Sequence, residues 1–148
     1  MMIRYRRPKQ DDAFIMRLID SQLVPISHLS PSQIETVRKE IPKRLSRGIT
    51  LIACQRYEDD PLGFVHFILH GNLLYIDMLA VTPESQRKRW GNMLMVHAEK
   101  FAASRGCTRS KVMVDAGNAS GLSFYRKLGY VTVRYHTLNQ CHELEKKL

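Results

Sequence analysis

Two hydrophobic rhythms run along this chain, a period of two and a period near 3.6, and together they lay out its elements. Ile3 to Arg7 alternates apolar and polar side chains, as a half-buried strand does. Phe14, Ile15, Leu18 and Ile19 then fall on one helical face, with Asp11 or Asp12 placed to cap that helix. Ser30-Pro31-Ser32-Gln33 announces a second helix: a capping serine, a proline in the first turn, and a glutamine that can reach back to the cap. Ile34, Val37 and Ile41 form its apolar stripe, and Pro42 is expected to kink or end it. Ile49 to Gln55 reads as a strand, followed by a charged turn from Tyr57 to Asp60. Leu62 to Leu69 and Leu73 to Val81 read as a hairpin turning at Gly71-Asn72, its second strand closed by Pro83. Leu94, Met95, Ala98, Phe101 and Ala102 keep helical spacing up to Arg105-Gly106. Lys111 to Asp115 is a further strand, and Ala119 to Leu128 a short helix capped by Asn118 or Ser120 and stopped by Gly129. Val131 to Tyr135 and His142 to Lys146 are the closing strands.

The resulting order, β-α-α-β-β-β-α-β-α-β-β, contains no repeat, linker or low-complexity stretch. Helices alternating with strands and adjacent hairpins imply an α/β (α+β) fold, a mixed sheet with helices on both faces. At 148 residues the chain is expected to form one domain over 1–148. Hydrophobic content of 44% and charged content of 25% are ordinary for a globular protein.

The apolar stretch Leu62 to Val81 contains His66, His70 and Asp77, which a bilayer would penalise, so no membrane span is expected. Met1 to Arg7 has charge without an apolar core behind it, unlike a signal peptide. Cys54, Cys107 and Cys141 are too few and too scattered for a disulfide framework, which fits a reducing, cytoplasmic setting. None of the three has a partner at the spacing a zinc site uses, so no metal is expected. The net charge of +9 comes without a helix-turn-helix, finger or aromatic-basic pattern, so no nucleic-acid partner is expected.

The chemistry concentrates in two segments. In the first, Leu79-Ala80-Val81-Thr82-Pro83 ends a strand, Gln86-Arg87-Lys88-Arg89-Trp90-Gly91-Asn92 forms a basic turn, and a helix follows. Free N–H groups at a helix start make an anion site, Gly91 permits close backbone approach, and the three cations add charge. Residue physics alone therefore reads the turn as a phosphate-binding loop, or as a plain surface loop before a helix. The second segment, Asn118-Ala119-Ser120-Gly121-Leu122-Ser123-Phe124-Tyr125-Arg126-Lys127-Leu128-Gly129-Tyr130, is a capped helix with an aromatic contact face.

Together these segments resemble the two hallmark motifs of the GNAT superfamily of N-acetyltransferases. Gln86 and Gly91 match the first and last positions of a Gln/Arg-x-x-Gly-x-Gly/Ala loop, and the Asn118 segment is similar to Asn-x-x-Ala-x-x-Phe-Tyr-x-x-x-Gly-Phe/Tyr. Arg89 and Gly121 depart from it, standing where the family usually has glycine and alanine. Arg89 is expected to lie in the opening helical turn, where arginine costs little; a left-handed backbone there would strain it. With the element order, the resemblance covers essentially the whole chain. It implies a mostly antiparallel sheet of about seven strands flanked by four helices, with acetyl-CoA as co-substrate.

The resemblance also implies roles. The strand Leu73 to Val81 would bulge near Leu79 and splay from Lys111 to Asp115, opening a V for the pantetheine arm. Leu79, Ala80 and Val81 would contact the arm, with Leu79 and Val81 pairing to it through their backbones, and one N–H would polarise the thioester oxygen. Gln86, Arg87, Lys88, Arg89, Trp90, Gly91 and Asn92 would hold the pyrophosphate, and Asn118 would bond the pantetheine. Tyr125 is the candidate acid for the leaving thiolate. An alkyl amine with a pKa of about 10 arrives protonated, so a base is needed. Plain alternation puts Tyr75, Asp77, Leu79 and Val81 on one face, which makes Asp77 the first candidate and His66 the second. The expected reaction is acetyl transfer to a primary amine, small or peptidic, by direct attack; the alternative is a non-catalytic CoA-binding regulatory module. Homodimerisation is left open.

Overall fold

The computed structural model describes residues 2–148. Four helices and seven strands follow the order read from the sequence: β1 Met2–Tyr5, α1 Pro8–Leu18, α2 Pro31–Ser46, β2 Ile49–Cys54, β3 Gly63–His70, β4 Leu73–Val81, α3 Trp90–Ser104, β5 Arg109–Asp115, α4 Ala119–Lys127, β6 Val131–His136 and β7 Cys141–Lys147. They form one sheet in the order β1-β2-β3-β4-β5-β7-β6. Every neighbouring pair is antiparallel except β4 and β5. Two apolar clusters flank it. Leu94, Met95, Ala98 and Ala102 of α3 pack with Tyr125 of α4 on one face. Ile15 and Leu18 of α1 pack with Ile41 and Leu45 of α2 on the other. Among the described residues no helix is long and apolar enough to cross a membrane.

Three local readings are corrected. The first helix starts at Pro8, with Arg7 at the cap position, rather than at Asp11 or Asp12. Proline needs no N–H partner in the first turn, and the Asp11 carboxylate, one turn in, accepts the Arg7 N–H at 2.6 Å. The second helix begins at the predicted Ser30 capping box but runs through Pro42 to Ser46. Pro42 removes one ladder bond, and burial of Ile41 at 1% and Leu45 at 2% exposure outweighs that loss. Unforeseen π-helical and 3-10 turns, Ile19–Leu23 and Val24–Ile26, carry the chain between α1 and α2.

The third correction positions the site. His66 pairs with Met78 and Phe67 pairs with Ile76, so Asp77 is an extra residue on β4 opposite no single partner. The bulge therefore lies at Asp77, two residues before Leu79. It also breaks the alternation: Leu74, Ile76, Leu79 and Val81 share the α3 side, whereas Met78 and Ala80 join the α1 and α2 side. Asp77 reaches Arg44 of α2, so Asp77 does not share a face with Leu79 and Val81 as simple period-two counting requires.

Candidate active site

The bulge bends β4 away from its parallel neighbour. β4 and β5 pair only over Leu73–Ile76 and Arg109–Val112. Beyond that, a cavity of about 200 Å³ opens between Asp77, Met78 and Leu79 on one side and Met113, Val114 and Asp115 on the other, with Asn118 and Tyr125 of α4 in its lining. The Thr82 N–H donates to the Leu62 carbonyl at 2.8 Å, which directs even-numbered residues of this stretch toward β3. The backbone groups of Leu79 and Val81 therefore face the opening, and those of Ala80 face β3. Ala80 has no backbone group in the cleft.

The basic turn follows the end of β4 and leads into α3, whose Gly91 abuts Phe124, the neighbour of Tyr125 in α4. The N–H groups of Arg87, Lys88, Arg89, Trp90, Gly91 and Asn92 have no hydrogen-bond partner among the described residues. Arg87, Lys88 and Arg89 are exposed, while the Trp90 side chain is buried beneath them. A run of free amides at the start of a 15-residue helix, with three cations beside it, has the donors and the charge to receive an anion. A Cβ on Gly91 would lie 3.3 Å from the Phe124 ring, so glycine lets α3 close onto α4.

Two loop residues differ from expectation. Arg89 is not in the first helical turn; it occupies the cap position with φ 68°, and Arg87 has φ 63°. The position thus needs the left-handed backbone that glycine supplies, and arginine pays roughly 1 kcal/mol of strain there. Gln86 turns inward. Its N–H donates to the Pro83 carbonyl at 3.3 Å, and its side-chain amide donates to the Val81 carbonyl at 3.0 Å and the Gln22 amide oxygen at 2.9 Å. Gln86 braces the loop against β4 and the turn after α1.

Tyr125 lines the cavity, and its hydroxyl makes no hydrogen bond to the described residues. Burial pushes that hydroxyl well above the ordinary phenol range, so it holds its proton. Edge-on contacts fix the ring, with Phe124 at 5.0 Å and Tyr130 at 5.7 Å between centroids. Tyr130 is itself anchored by Ser110 and Glu99, both at 2.7 Å. Asn118 caps α4, its Oδ1 accepting the Gly121 N–H at 2.9 Å. Gly121 is what permits this: a Cβ there would fall 2.2 Å from the Asn118 amide nitrogen.

Asp77 is buried, with one carboxylate oxygen accepting from Arg44 and the other without a hydrogen-bond partner. That second oxygen lies 3.7 Å from His66 Nε2, which also lacks one. Desolvation lowers the His66 pKa despite the nearby Asp77 charge, which keeps the ring neutral, and Thr50 holds its Nδ1 at 2.8 Å. Sequence reasoning missed Arg44 and His28. His28 Nδ1 lies 2.6 Å from Asp115 Oδ2, which also accepts the His28 N–H at 2.9 Å. These partners are 33 and 87 residues apart, and no local pattern links them.

Comparison with known proteins agrees with the fold. The Acetyltransferase (GNAT) family model matches residues 16–130. The crystal structure of the PaiA N-acetyltransferase of Thermoplasma acidophilum in complex with coenzyme A superposes with a TM-score of 0.80, at 22% identity over all of both chains. An acetyltransferase of the GNAT family from Desulfovibrio desulfuricans superposes at 0.78, with 14% identity over 99% of this chain and 97% of that one. These two likenesses concern the fold. A spermidine N(1)-acetyltransferase of Thermoplasma acidophilum is 30% identical over 69 residues, 47% of this chain, and the match spans 43% of that relative's length. With the family model covering most of its length and the bulged, splayed sheet in place, the chain belongs to the GNAT acetyltransferase family.

Proposed function

We propose that this protein, as a single domain in the cytoplasm, transfers the acetyl group of acetyl-CoA to a primary amine by direct attack within a ternary complex. The observation that carries the reading is a cleft lined by Leu79, beyond the β4–β5 pairing, and by Tyr125, next to a loop with unpartnered amides at Arg87 to Asn92 whose Gly91 abuts Phe124. The amides receive the diphosphate, the β4 edge pairs with the pantetheine arm, and the Leu79 N–H polarises the thioester carbonyl. The amine first loses a proton, for which Asp77 in the cleft lining is the base, directly or through water. Its nitrogen then attacks the carbonyl carbon, the C–S bond breaks, Tyr125 supplies a proton to the departing thiolate, and the proton shed by the new amide nitrogen restores the tyrosine. Asn118 must give up part of its capping role to hydrogen-bond the arm.

The acceptor is a small-molecule or peptide amine. Spermidine is a member of that class worth testing because of the partial likeness to a spermidine acetyltransferase. Binding of acetyl-CoA by calorimetry, followed by thiol release with alkylamines, spermidine and amino-terminal peptides, tests the proposal. A protein that binds the coenzyme but releases thiol with no amine would be the non-catalytic module instead, and one that does not bind it would overturn both readings.

A further inference from the structure

At the outer edge of the same cleft, three potential metal ligands converge from separate parts of the chain. His28 comes from the segment after the 3-10 turn, Asp115 from the last position of β5, and Cys141 from the first position of β7. Their ligating atoms all lie within 4.8 Å of one another. We propose that His28, Asp115 and Cys141 form a binding site for a thiophilic divalent cation, zinc above others. This site is independent of the transferase reading.

The backbone sets the three side chains before any ion arrives. Asp115 and Cys141 are direct partners in the antiparallel β5–β7 ladder, so their side chains leave one face of the sheet side by side. The turn before Cys141 is held in place by Gln140, which adopts φ 50° and whose carbonyl accepts the Ala116 N–H at 2.9 Å. His28 is fixed twice to one carboxylate oxygen, through its N–H at 2.9 Å and its ring at 2.6 Å. Asp115 is steadied from the other side, where Oδ1 accepts the Gly117 N–H at 2.9 Å.

Nitrogen, oxygen and sulfur donors in this number suit zinc, with a fourth position left open. Tetrahedral bond lengths place donor atoms about 3.5 Å apart, so the imidazole and carboxylate would separate by roughly 1 Å from their present hydrogen bond. The cation replaces the proton they share, and it replaces the thiol proton of Cys141, leaving two negative ligands around a double positive charge. Sequence spacing could not show this, because its rule looks for ligands close together in the chain, and here 28, 115 and 141 meet only through the fold.

The test is metal titration of the full chain, kept reduced by a non-chelating phosphine. Cobalt is expected to bind at one per chain with a sulfur-to-metal charge-transfer band and tetrahedral visible bands, and an equivalent of zinc should bleach both. Cys141→Ser should abolish the charge-transfer band and weaken zinc about tenfold or more. His28→Ala should keep the band and weaken zinc to a similar degree. Cys54→Ala and Cys107→Ala should leave the spectrum unchanged, since both thiols are buried away from the cluster. Cooperative melting confirms that each variant is folded. The proposal is overturned if the wild-type chain takes up no stoichiometric metal at micromolar concentration, or if the sulfur band survives in folded Cys141→Ser.

Discussion

Single residues decide how well this site works. Tyr125 lines the cavity and its hydroxyl has no hydrogen-bond partner among the described residues, so its chemistry is separable from its packing. Tyr125→Phe is expected to leave acetyl-CoA affinity intact and to lower the transfer rate on the order of a hundredfold. An unchanged rate in steady-state assays would remove the tyrosine from the reaction. Asp77→Asn should slow transfer at neutral pH and recover as the pH nears about 10, where the amine supplies its own lone pair. A defect that is flat with pH would assign Asp77 to its ion pair with Arg44 instead. Arg89 carries a left-handed backbone at the loop. Arg89→Gly should therefore raise stability by up to about 1 kcal/mol in thermal unfolding, because glycine adopts that conformation freely. The helix Ala119–Lys127 with its Asn118 cap was legible in the sequence because that motif is local. The left-handed Arg89 was not, since the register of loop and helix depends on where Trp90 is buried.

Elements show the same division. Strands and helices appeared in the predicted order because their apolar spacing is strong, and the Ser30 capping box was read correctly down to Gln33. A bulge on β4 was expected near Leu79, but its place at Asp77 was not legible, because one extra residue on β4 is defined only against β3. That bulge reversed the faces of Leu79 and Val81, so alternation misplaced them relative to Asp77. Pro42 was over-weighted, because a local helix breaker was judged without the core contacts of Ile41 and Leu45. In α4, Gly121 and Asn118 are matched to each other. Gly121→Ala gains about 1 kcal/mol of helix propensity and displaces the Asn118 cap at a cost of about 1 kcal/mol. Melting should therefore shift by less than about 0.5 kcal/mol. The freed Asn118 amide should tighten acetyl-CoA severalfold, the worth of one hydrogen bond of about 1 kcal/mol, by calorimetry. Weaker binding would show that Asn118 serves the helix and not the coenzyme.

For the whole molecule, the ends of the chain are tied into the fold by charge as well as by apolar packing. Arg4 of β1 and Asp11 of α1 form a two-pronged pair at 2.8 and 3.0 Å, with side chains 7% and 1% exposed. Burial alone would raise the Asp11 pKa, but the Arg4 hydrogen bonds, the Arg7 N–H and the neighbouring positive charges outweigh it and hold the carboxyl below its usual range. A depressed carboxylate contributes stability that is present above its unfolded pKa of about 4 and is lost as pH falls through the folded value. Asp11→Asn, which leaves Arg4 buried and unpaired, should cost about 3 kcal/mol at neutral pH. The difference from wild type should shrink below about pH 4 in denaturant titrations. A penalty that persists unchanged in acid would mean that the loss is one of shape and not of charge. This pair was not legible beforehand, because Asp11 was read as a candidate helix cap and the alternation of Ile3 to Arg7 says nothing of what a polar strand residue meets.

The short parallel seam between β4 and β5 has a mechanical corollary. Four residue pairs hinge the sheet's two halves, and beyond them the strands diverge with their edges unsatisfied. Under the proposed function, a coenzyme arm lying in that gap would act as a stitch, supplying the missing rung between the halves. Substrate capture and the stiffening of the molecule would then be one event, and release of the spent coenzyme would loosen the protein along the same line.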